Sequence, residues 1–117
     1  MNETRLYHNP RCSKSRGALE LLRERGVEPV VVDYLHAPPS PAELRALMKL
    51  LNLPARALLR TGEDEYAALG LADESLAEST LLDAMNTHPR LIERPIFVHA
   101  GRAVIGRPPE RVLDLLD

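Results

Sequence analysis

The sequence predicts an α/β domain, a mixed four-stranded sheet in which a β-α-β opening and a β-β-α close are separated by a helical insertion. Three observations predict it. Two short strand-like runs flank a helical period in the first 35 residues, and only helical signals follow from Ser40 to His88. Two further short runs joined by Ala100-Gly101 then precede an amphipathic end.

"TRLYH" (4–8) reads as a short strand that stops at Asn9-Pro10. From Ser13 to about Arg25, Ala18, Leu19 and Leu22 recur at helical spacing, and Gly26 supplies the stop. "PVVVDYL" (29–35) is β-branched and apolar, the composition of a buried central strand. The two strands should run parallel through a right-handed crossover.

"SPAELRALMKLL" carries the clearest helix. Ser40 precedes Pro41, and Glu43 follows the serine by three, a capping-box arrangement. Leu44, Leu47, Met48 and Leu51 then repeat at i, i+3, i+4 and i+7. "PARALLR", "DEYAAL" and "ESTLLDAMNTH" continue the helical signal until His88-Pro89 ends it. "PIFVH" (95–99) and "RAVI" (102–105) form an antiparallel hairpin about Ala100-Gly101. Gly106 and Pro108-Pro109 break the pattern, and "ERVLDLL" closes as an amphipathic helix. A mixed sheet of this order, with helices on both faces, is the thioredoxin-like arrangement.

The chain has 117 residues, one domain of ordinary size, expected to run over 1–117 without linker or repeat. Its net charge of -2, with one Phe, three Tyr and no Trp, offers neither a cationic footprint nor a stacking platform for nucleic acid. Apolar runs such as "LMKLLNL" fall short of a membrane span, and "MNETRLYHNP" lacks the apolar stretch of a signal peptide. Neither a nucleic-acid nor a membrane partner is expected. The expected compartment is the cytoplasm, where a free thiol stays reduced.

"NPRCSKSR" (9–16) holds Cys12, the only cysteine. It falls in the turn between first strand and first helix, beside unpaired N–H groups and the positive end of the helix dipole. That setting lowers a thiol pKa, and Arg11, Lys14 and Arg16 add positive charge. Such a turn is a poor burial site, which favours a reactive thiol over a packed one. A redox dithiol would need Cys-x-x-Cys, but Ser15 stands there. A phosphatase-type loop would need Cys-x5-Arg, but Ala18 stands there. A zinc site would need more ligands than His8 and Cys12 with scattered His36, His88 and His99, so no metal is expected. His8, four residues before the cysteine, either orients the sulfur or is a strand-end side chain in solvent.

"YHNPRCSKSR", "VVDYLHAPPS", "ALLR", "HPRLIERPI" and "IGRPPERVLDLL" together resemble the glutaredoxin-coupled arsenate reductase family, thioredoxin-like proteins with a single essential cysteine. The match runs in order over nearly the whole chain. The resemblance implies a cytoplasmic oxidoreductase of arsenic detoxification with no bound cofactor. In it the Cys12 thiolate attacks arsenate to form a covalent adduct. Glutathione, a co-substrate, then displaces or reduces the arsenic centre, and glutaredoxin resolves the mixed disulfide. It also implies an oxyanion site of Arg60, Arg94 and Arg107, with Cys12 and His8 catalytic and Arg16, Ser15 and Pro95 in support. Arginine suits the role, because its planar fork donates paired hydrogen bonds and keeps its charge.

"RCSKSR", "IGRPPE" and a short tail point to a shorter subgroup of the family. Two other readings stand beside the reductase. One is a thioredoxin-like regulator that binds RNA polymerase; those usually carry Cys-x-x-Cys. The other is a thiol oxidoreductase on a different substrate. Two geometric expectations follow from the resemblance. The Arg94-Pro95 bond should be cis, and the three arginines should converge on Cys12.

Overall fold

β1 (Arg5–His8), β2 (Val30–Asp33), β3 (Ile96–His99) and β4 (Arg102–Ile105) form one sheet in the order β2-β1-β3-β4. β1 pairs with β2 in parallel, His8 opposite Asp33, and with β3 antiparallel, Leu6 opposite Phe97; β3 and β4 are antiparallel. This is the mixed, thioredoxin-like sheet that the sequence predicts. The computed structural model describes residues 3 to 116. Met1, Asn2 and Asp117, the ends of the expected 1–117 domain, lie outside the described residues. The chain groups into two units, one of the residues up to Ala37 with those from Arg94 onward, the other Pro38–Glu93.

The first unit holds the sheet, α1 (Ser13–Glu24) and a closing 3-10 helix (Pro109–Leu115). Side chains alternate across the strands. Leu6, Phe97 and Val104 therefore share one face, where they pack with Ala18 and Leu22 of α1 and with Val112 and Leu115. Each fully buried Leu or Phe there contributes roughly 1.5–3 kcal/mol. Tyr7, Ile96 and Val98 point to the other face and are buried as well.

α1 ends as Gly26 promised. Gly26 takes a positive φ of 76°, its N–H donates to the Arg23 carbonyl, and the Val27 N–H donates to that of Leu22 at 2.9 Å. That is a Schellman close, with Val27 and Leu22 both at the core. The hairpin turn also has the expected shape, with positive φ at both Ala100 and Gly101.

Two expectations need correction. β2 is an edge strand, not a buried central one: it pairs only with β1, and Val30 and Val31 are 54% and 40% exposed. β-branched composition signals a strand but not how many neighbours it has, and here β3 takes the other side of β1. The closing helix is 3-10 rather than α. Its buried residues Val112 and Leu115 stand three apart, the spacing that a 3-10 helix places on one line.

The second unit is helical. α2 (Pro41–Leu51) starts at Ser40, whose Oγ accepts the Glu43 N–H at 3.1 Å, and buries Leu44 and Leu47. "PARALLR" supplies a 3-10 turn (Ala55–Leu58), followed by α3 (Asp64–Ala68) and α4 (Glu78–Thr87). α4 packs against α2 and buries Leu81, Leu82 and Met85. A short 3-10 turn (Pro89–Leu91) leads to an isolated bridge between Leu59 and Ile92. Beside it, the Arg60 N–H donates to the Leu91 carbonyl and the Glu93 N–H to that of Leu58, each at 2.8 Å. Among the described residues, no helix is long and apolar enough to cross a membrane.

Candidate functional site

The Cys12 loop is built by the residue where β1 stops. Asn9 is buried, and its N–H donates to Ser15 Oγ at 3.0 Å. Its side-chain Oδ1 accepts the Arg11 N–H at 2.9 Å, and its carbonyl accepts the Cys12 N–H at 3.0 Å. An Asx-type turn of this kind is what Asn before Pro favours. It leaves Cys12 at the N-cap of α1 with an extended backbone (φ -93°, ψ 121°), and the Arg16 N–H donates to its carbonyl. The Arg16 side chain closes the loop from outside, with Nη1 on the Pro10 carbonyl at 3.0 Å.

Cys12 is partly buried. Burial pushes its thiol pKa up, but other groups favour the thiolate: the Ser15 N–H, the Arg94 guanidinium and the Lys14 N–H. Together they outweigh burial and hold the thiol below its ordinary value. Arg107 adds a second cation, with Nη2 3.6 Å from Cys12 Sγ. Its Nε donates to the Arg94 carbonyl at 2.8 Å, so backbone and thiol hold the guanidinium at two points. The Arg94-Pro95 bond is cis, as expected, and so is Arg107-Pro108. Two arginines, a helix N-terminus and a nucleophilic sulfur thus share one corner. That corner can bind an oxyanion and attack it.

His8 reaches this corner through Ser15. Its Nδ1 lies 2.7 Å from Ser15 Oγ, and both residues are buried. Burial lowers the His8 pKa, Arg23 and Arg16 lower it further, and Asp33 opposes them. The ring and the Ser15 hydroxyl are hydrogen-bonded to each other, while Ser15 Oγ also accepts from the Asn9 N–H. His8 therefore steadies the helix turn whose N–H groups face the sulfur.

Arg60 belongs to the second unit. Its Nη1 pairs with Glu93 at 2.9 Å and its Nε with Glu63 at 3.3 Å, a half-buried cation between two carboxylates. Of the three arginines expected to converge, Arg94 and Arg107 meet Cys12 within the first unit. Among the described residues, no three His, Cys, Asp or Glu side chains gather as a metal centre requires.

The sequence profile of the ArsC family matches residues 7–115. The chain belongs to the ArsC family. Its relatives include the uncharacterized protein YfgD of Escherichia coli K12, 55% identical over 115 residues, with 97% of each chain covered. An arsenate reductase of Neisseria meningitidis serogroup A is 47% identical over 113 residues, covering 96% of this chain and 97% of that one. Among solved structures, an arsenate reductase from Vibrio cholerae superposes with a TM-score of 0.94 at 47% identity, covering 99% of this chain and all of the other. The ArsC match spans the Cys12 loop, Arg60, Arg94 and Arg107, the positions on which the resemblance rested.

Sequence reasoning missed Asn9. The available signal is the Asn-Pro pair after a strand, which marks the strand's stop and also builds the loop. It also missed the Arg94 carbonyl as the seat of Arg107. No sequence pattern marks that contact, because it joins two loops through a main-chain atom.

Proposed function

We propose that this chain reduces arsenate to arsenite, with Cys12 as nucleophile and Arg94 and Arg107 as the oxyanion ligands. One observation carries it: the Arg107 guanidinium stands 3.6 Å from a thiol already biased toward its anion. The arsenate reductase names borne by full-length relatives support the same reading. The thiolate attacks arsenic, an arsenate oxygen leaves as water, and a cysteine–arsenate adduct forms. Because Cys12 is the only cysteine, the second thiol comes from outside.

Glutathione supplies it. Its thiolate attacks the Cys12 sulfur, the S–S bond forms, and the S–As bond breaks. The electron pair goes to arsenic, which leaves as arsenite. Glutaredoxin then exchanges with the Cys12–glutathione disulfide and frees the enzyme. A cleft of about 200 Å³ lined by Asn9, Pro10, Arg11, Asp33, Leu35 and His36 gives a co-substrate room beside the loop. The chemistry suits the cytoplasm, where glutathione stays reduced.

A coupled assay with arsenate, glutathione and glutaredoxin tests the proposal. Arsenate-dependent turnover that Arg94→Ala slows by raising the KM for arsenate is the expected result. Turnover that proceeds equally without arsenate would favour an oxidoreductase on another substrate. No turnover, with capture of RNA polymerase, would favour a regulator.

A further inference from the structure

Gly106 lies between β4 and Arg107, is buried, and donates its N–H to the Pro95 carbonyl at 2.8 Å. Its φ is not among the positive glycine values, so the backbone itself does not demand glycine. Space does. A Cβ at position 106 would stand 2.9 Å from Pro95 Cγ and 3.0 Å from Val112 Cγ1. Neither neighbour yields easily: the proline ring is closed, and Val112 is stiff at χ1 and fully buried in the core. The backbone would have to shift instead.

We propose that Gly106 is a positioning residue which sets Arg107, and Arg94 with it, against the Cys12 sulfur. The inference rests on the reading above that these arginines bind the oxyanion. Two hydrogen bonds join the segments, Gly106 N–H to the Pro95 carbonyl and Arg107 Nε to the Arg94 carbonyl, and Arg107 Nη2 goes on to Cys12 Sγ. Pro95 touches Gly106 and is bonded to Arg94, while Arg107 follows Gly106 directly. A methyl group in the gap therefore moves both cations relative to the thiol at once. A missing methyl, rather than a functional group, holds the site in register.

The test is Gly106→Ala in the full chain, checked for folding by circular dichroism. The Cys12 pKa is read from the pH dependence of alkylation, and kcat is separated from the KM for arsenate. The folded variant should show a raised thiol pKa and a KM for arsenate about five- to tenfold higher, as misplacement by a few tenths of an ångström implies. The double variant G106A/V112A removes one of the two obstructions and should recover part of both losses. A folded Gly106→Ala protein with wild-type thiol pKa and wild-type KM overturns the inference. If Gly106→Ala does not fold, G106A/V112A is compared with V112A alone: a higher thiol pKa in the double variant supports the inference, and equal values overturn it. Wild-type protein that turns over no arsenate sinks the proposed reaction, yet the thiol pKa still decides the role of Gly106.

Discussion

Arg107 Nη2 lies 3.6 Å from Cys12 Sγ, although 95 residues separate the two in sequence. The contact sets a guanidinium cation against a thiol, so the arginine favours the anionic form of the sulfur. The Arg94 carbonyl holds the other side of the same guanidinium.

Arg107→Lys keeps the charge and loses the fork. Lysine cannot donate to the Arg94 carbonyl and an oxyanion in the same geometry. Affinity for arsenate or phosphate should fall by about 1–3 kcal/mol, the range for a charge-assisted hydrogen bond. Competition binding with phosphate reads this directly, and an unchanged dissociation constant refutes it.

Cys12→Ser should abolish arsenate turnover. In the wild type, alkylation and turnover should both rise with pH through a midpoint below that of an ordinary thiol, because the thiolate is the attacking species. A midpoint at or above the ordinary value of about 8.5 contradicts the activated nucleophile.

His8 makes the fold acid-sensitive. Its folded pKa lies below its unfolded value, because burial disfavours the charged ring. As pH falls below about 6.5 the unfolded chain takes up the proton first, so stability is lost on acidification and intact above that range. Thermal melts from pH 7 to 5 should fall less steeply for His8→Gln than for the wild type. Parallel slopes would show that His8 does not contribute.

Ala100 sits in the hairpin turn at a φ of 52°, a region that L-residues other than Asn, Asp and Gly seldom occupy. Ala100→Gly should raise stability by roughly 0.5–1 kcal/mol as the clash of its Cβ is relieved. Denaturant unfolding measures it, and a loss of stability would mean that the turn tolerates Ala without strain.

Local features were legible in the sequence. A strand that stops at Asn9-Pro10 and a helix that starts at Ser13 must leave Cys12 at a helix N-terminus, whatever the rest of the chain does. Ser40, Gly26 and Ala100-Gly101 likewise announce a cap, a stop and a turn through their own backbone chemistry. The tertiary structure decided what depends on distant partners. It made β2 an edge strand because β3 occupies the other side of β1. It seated Arg107 on the Arg94 main chain, and it left room for Gly106 alone between Pro95 and Val112. Propensity and periodicity are properties of neighbours along the chain, whereas a close approach between loops exists only once the core has drawn them together.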